Sequence, residues 1–175
     1  MVDWKANMRE KPDLGRDVYV ATNASLIGKI AVGNGSSIWP GVSARGDVNW
    51  IRIGRRTNIQ DNSVLHVTID THPLEIGDDV TIGHGCILHG CTIKDRCLIG
   101  MGTVVLDGAV VGPDAIVGAG SVVKQGGVIE PRTLALGVPA RYRRDLSDEE
   151  IAAILESARC YSEYGLEYRN LSLQL

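Results

Sequence analysis

Four histidines stand in the 175-residue chain, and all of them fall between residues 66 and 89. His66 and His89 each follow a leucine, as Leu65-His66 and Leu88-His89, while His84 follows Ile82-Gly83. Neutral imidazoles are common metal ligands, with Zn–N bonds of ~2.0–2.1 Å. Three of them on one ion, with a fourth position open, lower the pKa of a bound water toward ~7 and supply hydroxide at neutral pH. Polar residues upstream could tune such a site. Asn58, Gln60 and Asp61 come just before His66, at expected corner positions where side chains project outward, and Arg45 and Asp47 lie further back. Gln60 could hydrogen-bond the bound hydroxide, and Asp61 could orient a ligand from behind it. Arg45 and Asp47 suit a salt bridge across a subunit boundary. Ordinary turn chemistry explains Asn and Asp equally well, and Gln60 much less so.

The elements that must hold these residues show themselves as a repeat. From Ile93 an aliphatic residue returns every six positions, at Ile99, Val105, Val111 and Val117. Small residues fill the fifth place at Thr103, Ala109, Ala115 and Ser121, and Gly follows the aliphatic at Gly100, Gly112 and Gly118. The same beat runs earlier, through Val20, Leu26, Val32, Ile38 and Ala44, then Ile53, Ile59 and Leu65, then Ile76, Ile82 and Leu88. A helix cannot keep a period of six on one face. Short strands joined by tight bends can, three hexapeptides making a triangular turn of about 18 residues that stacks at ~4.8 Å. Gly permits the positive φ of a sharp corner. The pattern covers roughly residues 18–123 and slips between Ala44 and Ile53, where an irregular segment is expected. Thr68 to Pro73 reads as a five-residue excursion from a corner.

Removing that excursion leaves about 18 residues between His66 and His89, one turn, so the two stack on the same edge. His84 falls at another place in the hexapeptide and points away from that edge. A cyclic trimer brings one subunit's face to its neighbour's edge, which would join His66 and His89 to the next subunit's His84. His72 is out of phase and is set aside. Cys86 and Cys97 fall at the inward fifth position and pack the core; Cys91 and Cys160 have no zinc-finger spacing.

Composition agrees with a narrow prism. There are 21 Gly and no Phe, so the core is built from small and branched aliphatics. A net charge of −3 leaves no excess for a phosphate backbone, which argues against nucleic acid. No apolar run is long enough for a membrane span, and MVDWKANMREKPDLG lacks the apolar stretch of a signal peptide, so a cytoplasmic protein with reduced thiols is expected. Past Pro131 the repeat fades, and Gly137-Val138-Pro139-Ala140 reads as a linker. Ser147 with Glu150 forms a capping box. The helix it opens carries an apolar face of Ile151, Ile154, Leu155, Ala158 and Tyr161. The expected organisation is a β-helix domain with an N-terminal extension over 1–140, then a helix and tail over 141–175 packing on the prism. Residues 166–175 have no assignable element.

The repeat resembles the left-handed parallel β-helix of the hexapeptide family, so the fold expected is an all-β solenoid with a C-terminal α-helix. The runs Arg45-Gly46-Asp47, Asn58-Ile59-Gln60-Asp61, Val64-Leu65-His66, Ile82-Gly83-His84 and Leu88-His89-Gly90 narrow this further. They resemble the γ-class carbonic anhydrases, as does the stretch from Gly137 to Leu146. The resemblance implies a homotrimer with Zn2+ at each subunit interface, held by His66, His84 and His89, with Fe2+ or Co2+ as other metals that fit. It implies that Gln60 contacts the bound water, with Arg45, Asp47, Asn58 and Asp61 in support and a helix tyrosine, Tyr161, near the pocket. The substrate implied is CO2, hydrated to bicarbonate. The glutamate-bearing loop of the best-studied type is replaced by Thr68–Pro73, with Asp70 its one carboxylate. Slow turnover, or buffer acting as the proton shuttle, follows from that. Other readings are a thioesterase or acyltransferase on the same prism, with an unligated histidine as base in the latter, and a non-catalytic trimeric scaffold stapled by metal.

Overall fold

The computed structural model describes residues 3–171. The hexapeptides fold as expected into a left-handed parallel β-solenoid of about 7 turns. One face is an eight-stranded sheet that begins at Tyr19–Val20 and ends on Thr133–Leu136 and Arg141–Asp145. The other two faces share an 11-stranded sheet because Ser25–Val32 and Ser43–Ile53 run unbroken across the corner between them.

The repeat positions form the core. Ile38, Ile59, Ile82, Ile99 and Val117 stack on one face, and Leu65, Leu88 and Val105 on the next; all are essentially inaccessible. Cys86, Cys91 and Cys97 are buried with them. The excursion closes through an antiparallel bridge between Thr68 and His72 before Leu74–Ile76 resumes the solenoid.

Several expectations change. The segment from Ala44 to Ile53 is the longest strand of the molecule, its lost beat taken up by a register shift opposite Gly28 and Ile30. The repeat runs beyond residue 123 to Leu136. Gly137–Ala140 is a hairpin turn, not a linker, because Arg141–Asp145 folds back antiparallel on Thr133–Leu136. The glycines after the aliphatics do not carry the positive φ. It falls two residues on, at Gly102, Asp114 and Gly120. A short helix, Trp4–Asn7, precedes the first turn, and buried Asn7 donates to the Asp47 carbonyl at 2.9 Å.

The second helix spans Asp148–Leu171, so 166–171 are helical and 172–175 lie outside the described residues. It climbs the eight-stranded face from the last turn to the first. Ile151 and Ile154 pack near Leu98, Ile116 and Leu134; Gly165 rests on Ser37 and Tyr19; Arg169 pairs with Asp17. Leu155 points to solvent, a correction to the expected apolar face. The capping box forms: the Glu150 N–H donates to Ser147 Oγ at 3.3 Å and Ser147 N–H to Glu150 Oε2 at 3.0 Å. Ser147→Ala is expected to cost about 1 kcal/mol, read as a shift in urea midpoint at unchanged slope.

Candidate metal centre

His66 and His89 end the strands Val64–His66 and Ile87–His89, which pair in parallel with the two histidines in register. Stacking thus sets the ring centroids 5.1 Å apart, with Nδ1 of His66 3.1 Å from Nε2 of His89. Two nitrogens bonded at ~2.0–2.1 Å to one tetrahedral ion lie ~3.3–3.4 Å apart, so this pair fits a divalent cation.

A carboxylate backs each candidate ligand. Asp47 Oδ1 lies 3.3 Å from His66 Nε2, Asp61 Oδ2 3.0 Å from His84 Nδ1, and Asp107 Oδ1 2.7 Å from His89 Nδ1. Asp47 and Asp107 each accept an N–H from one ring nitrogen and leave the other as a lone-pair donor, while Asp61 stands at ion-pair distance beside His84. His72 instead meets the Thr71 hydroxyl. Burial, then the Arg45 charge, pushes the His66 imidazole below its ordinary range, toward the neutral form a metal needs. Burial alone would raise the Asp47 carboxyl, but Arg45, its own backbone N–H and His66 outweigh it and hold it low.

The structure brings His66, His89, Asp47 and Arg45 together and places His84 elsewhere. Among the described residues no three His, Cys, Asp or Glu side chains converge on one metal position. His84 is half exposed at the edge of a cleft of about 530 Å³ that Gln60, Met101 and Tyr161 also line. Arg45 and Asp47 do not wait for a neighbour: their ion pair closes within the chain. Asn58 is not at a corner but in the strand Asn58–Ile59, buried. Its Oδ1 accepts from Gln60 Nε2 at 3.1 Å, and its Nδ2 donates to Thr81 Oγ1 at 2.9 Å. Gln60 is therefore buried instead of projecting outward, with one amide N–H donated to Asn58. Tyr161 packs edge-on against Trp39, and burial, then Asp61 and Tyr164, keep its phenol protonated. Burial pushes the Cys86 thiol up to about 11, and the thiol donates to the Gly100 carbonyl at 3.2 Å within the core.

Asp107 escaped the sequence reading. It stands 18 residues after His89, one turn, so the arithmetic that stacks the histidines could have found it.

Residues 90–125 match the bacterial transferase hexapeptide (six repeats) family model, so this stretch of the solenoid is of the hexapeptide-repeat class. The chain is 49% identical over 156 residues to γ carbonic anhydrase 1, mitochondrial, of Arabidopsis thaliana, covering 86% of this chain and 57% of that longer one. It is 45% identical over 163 residues to the carbonic anhydrase of Geobacillus kaustophilus, covering 93% and 89%. The chain belongs to the γ-class carbonic anhydrase family. A crystal structure of a Bacillus cereus protein described as a candidate acetyltransferase superposes with a TM-score of 0.91 at 43% identity, covering 93% and 94%.

Proposed function

We propose that the chain is a metal-dependent carbonic anhydrase that hydrates CO2 reversibly to bicarbonate at a site completed between copies of itself. The observation that carries the reading is the backing of His66, His84 and His89, and not His72, by carboxylates at 2.7–3.3 Å. His66 and His89 hold the ion from one subunit and His84 from the next, in a cyclic homotrimer; zinc is the metal we favour, with Fe2+ or Co2+ also suited to the donors. A divalent ion bound there brings the pKa of water down to ~7 and so supplies the nucleophile.

The chain's own groups do the rest. Asp47 and Asp107 hold the imidazole protons on the outer nitrogens. Asn58 accepts the Gln60 amide and turns its carbonyl toward the cleft, where it accepts a hydrogen bond from the water to be activated. Tyr161, neutral and anchored on Trp39, forms the apolar wall against which CO2 is held. Asp70 is the one carboxylate in the excursion, so proton export is left largely to buffer. Two outcomes test this. Stopped-flow CO2 hydration should appear with Zn2+ or Co2+ loaded, rise with buffer concentration, and vanish on stripping with dipicolinate. Full loading with no hydration at any pH, or activity only on a thioester assayed in parallel, would overturn it.

No helix among the described residues is long and apolar enough to cross a membrane. We propose a cytoplasmic location, in keeping with four cysteines that stand unpaired.

A further inference from the structure

Asp107 lies outside the sequence runs that define the candidate centre, on the corner one turn below His89. Its carboxylate makes two bonds there. Oδ1 accepts the His89 Nδ1–H at 2.7 Å, and Oδ2 accepts the Thr68 hydroxyl at 3.0 Å. Thr68 opens the excursion and is itself tied to His72 through backbone bonds. The second bond stops the carboxylate rotating, so the first fixes both tilt and tautomer of the His89 ring. The equivalent bond at the other end is weaker: Asp47 Oδ1 reaches His66 Nε2 at 3.3 Å while Oδ2 is taken by Arg45. His66 is thus held by the longer bond, and His89 by the shorter one on a carboxylate that is itself braced.

From these contacts we infer that Asp107, braced by Thr68, is the positioning residue that holds His89 in its Nδ1–H tautomer with Nε2 presented as a metal donor. The two ligands of one chain then differ in kind. His89 is the more tightly preset of the two, and His66 the less. This rests on the proposal above that His89 is a ligand, and it adds a residue to that site.

Two measurements decide it. Long-range 1H–15N spectra of the metal-free protein should show His89 in one tautomer, Nδ1–H, and the D107N variant should show a mixture. Co2+ affinity, read by competition with a chelating dye, should fall about 10- to 100-fold in D107N, with D107E recovering part of it. T68V should give a smaller loss in the same direction. The control is D114N, which breaks a different corner pair, with Arg96, and should leave Co2+ affinity unchanged. A D107N protein with wild-type affinity and an unchanged His89 tautomer overturns the inference. Wild-type protein that binds no Co2+ sinks the metal reading instead, and the metal-free spectra still judge Asp107.

Discussion

Purified separately, H66A and H84A should each hold no metal and retain no more than about 1% of wild-type CO2 hydration, yet their one-to-one mixture should recover about a quarter of it. The fraction follows from geometry. His66 and His89 are in contact in one chain, while His84 stands apart beside Asp61. A head-to-tail ring makes each site from the edge of one subunit and the face of the next. In randomly mixed rings, a site is whole only when an H84A subunit supplies the edge and an H66A subunit the face. That ordered pair occurs about one time in four. Unfolding and refolding the mixture, with a tag on one variant to prove co-assembly, makes the test clean. Mixed rings that stay inactive, or an H84A protein that keeps its metal alone, would refute the shared site.

Gly100→Ala should destabilise the protein by about 3 kcal/mol or more, whereas Gly102→Asn, two residues away, should cost about 1 kcal/mol or less. The two glycines are needed for unrelated reasons. A Cβ on Gly100 would sit 2.4 Å from the Ala119 backbone nitrogen and 2.9 Å from its Cα. Those atoms belong to the next turn of the solenoid and cannot retreat without spreading the ladder. Gly102 has open space around its missing Cβ and needs only its φ of +68°. Asparagine tolerates that region better than most non-glycine residues, and Asn62 already adopts φ +60° at the matching corner two turns above. Urea midpoints of the two variants at fixed concentration read the contrast. Equal destabilisation would show that the corners, not the close stacking of turns, limit stability.

Much of this was legible in advance because a solenoid repeats its environment. Once Ile93, Ile99 and Val105 mark the inward position, every sixth residue inherits it, and His66 over His89 follows from counting. Counting fails where the chain stops being local. Ser43–Ile53 looked irregular because a strand that crosses a corner alternates inward and outward faces without the six-residue beat. Arg141–Asp145 is wholly exposed, so no apolar pattern marked it. The outward placing of Asn58 and Gln60 was wrong because the helix covers that face, turning polar positions into buried ones. Asp107 was missed because its partners come from two other turns. A side chain defined by what it braces leaves no local signature.

The climbing helix sets a length as well as a surface. Its 24 residues rise about 36 Å, and seven stacked turns at ~4.8 Å put the first about 29 Å from the last. It is rooted beside Leu134 at the bottom and pinned at the top by Tyr168 on Tyr19 and by Arg169 on Asp17. A bare stack of turns tolerates gain or loss of a unit, since each touches only its neighbours. Here the helix works as a gauge: one turn more or fewer would carry the aromatic pins past their seats by ~4.8 Å. The number of turns is thus a measured quantity in this molecule, and the distance of its stacked histidines from either end is measured with it.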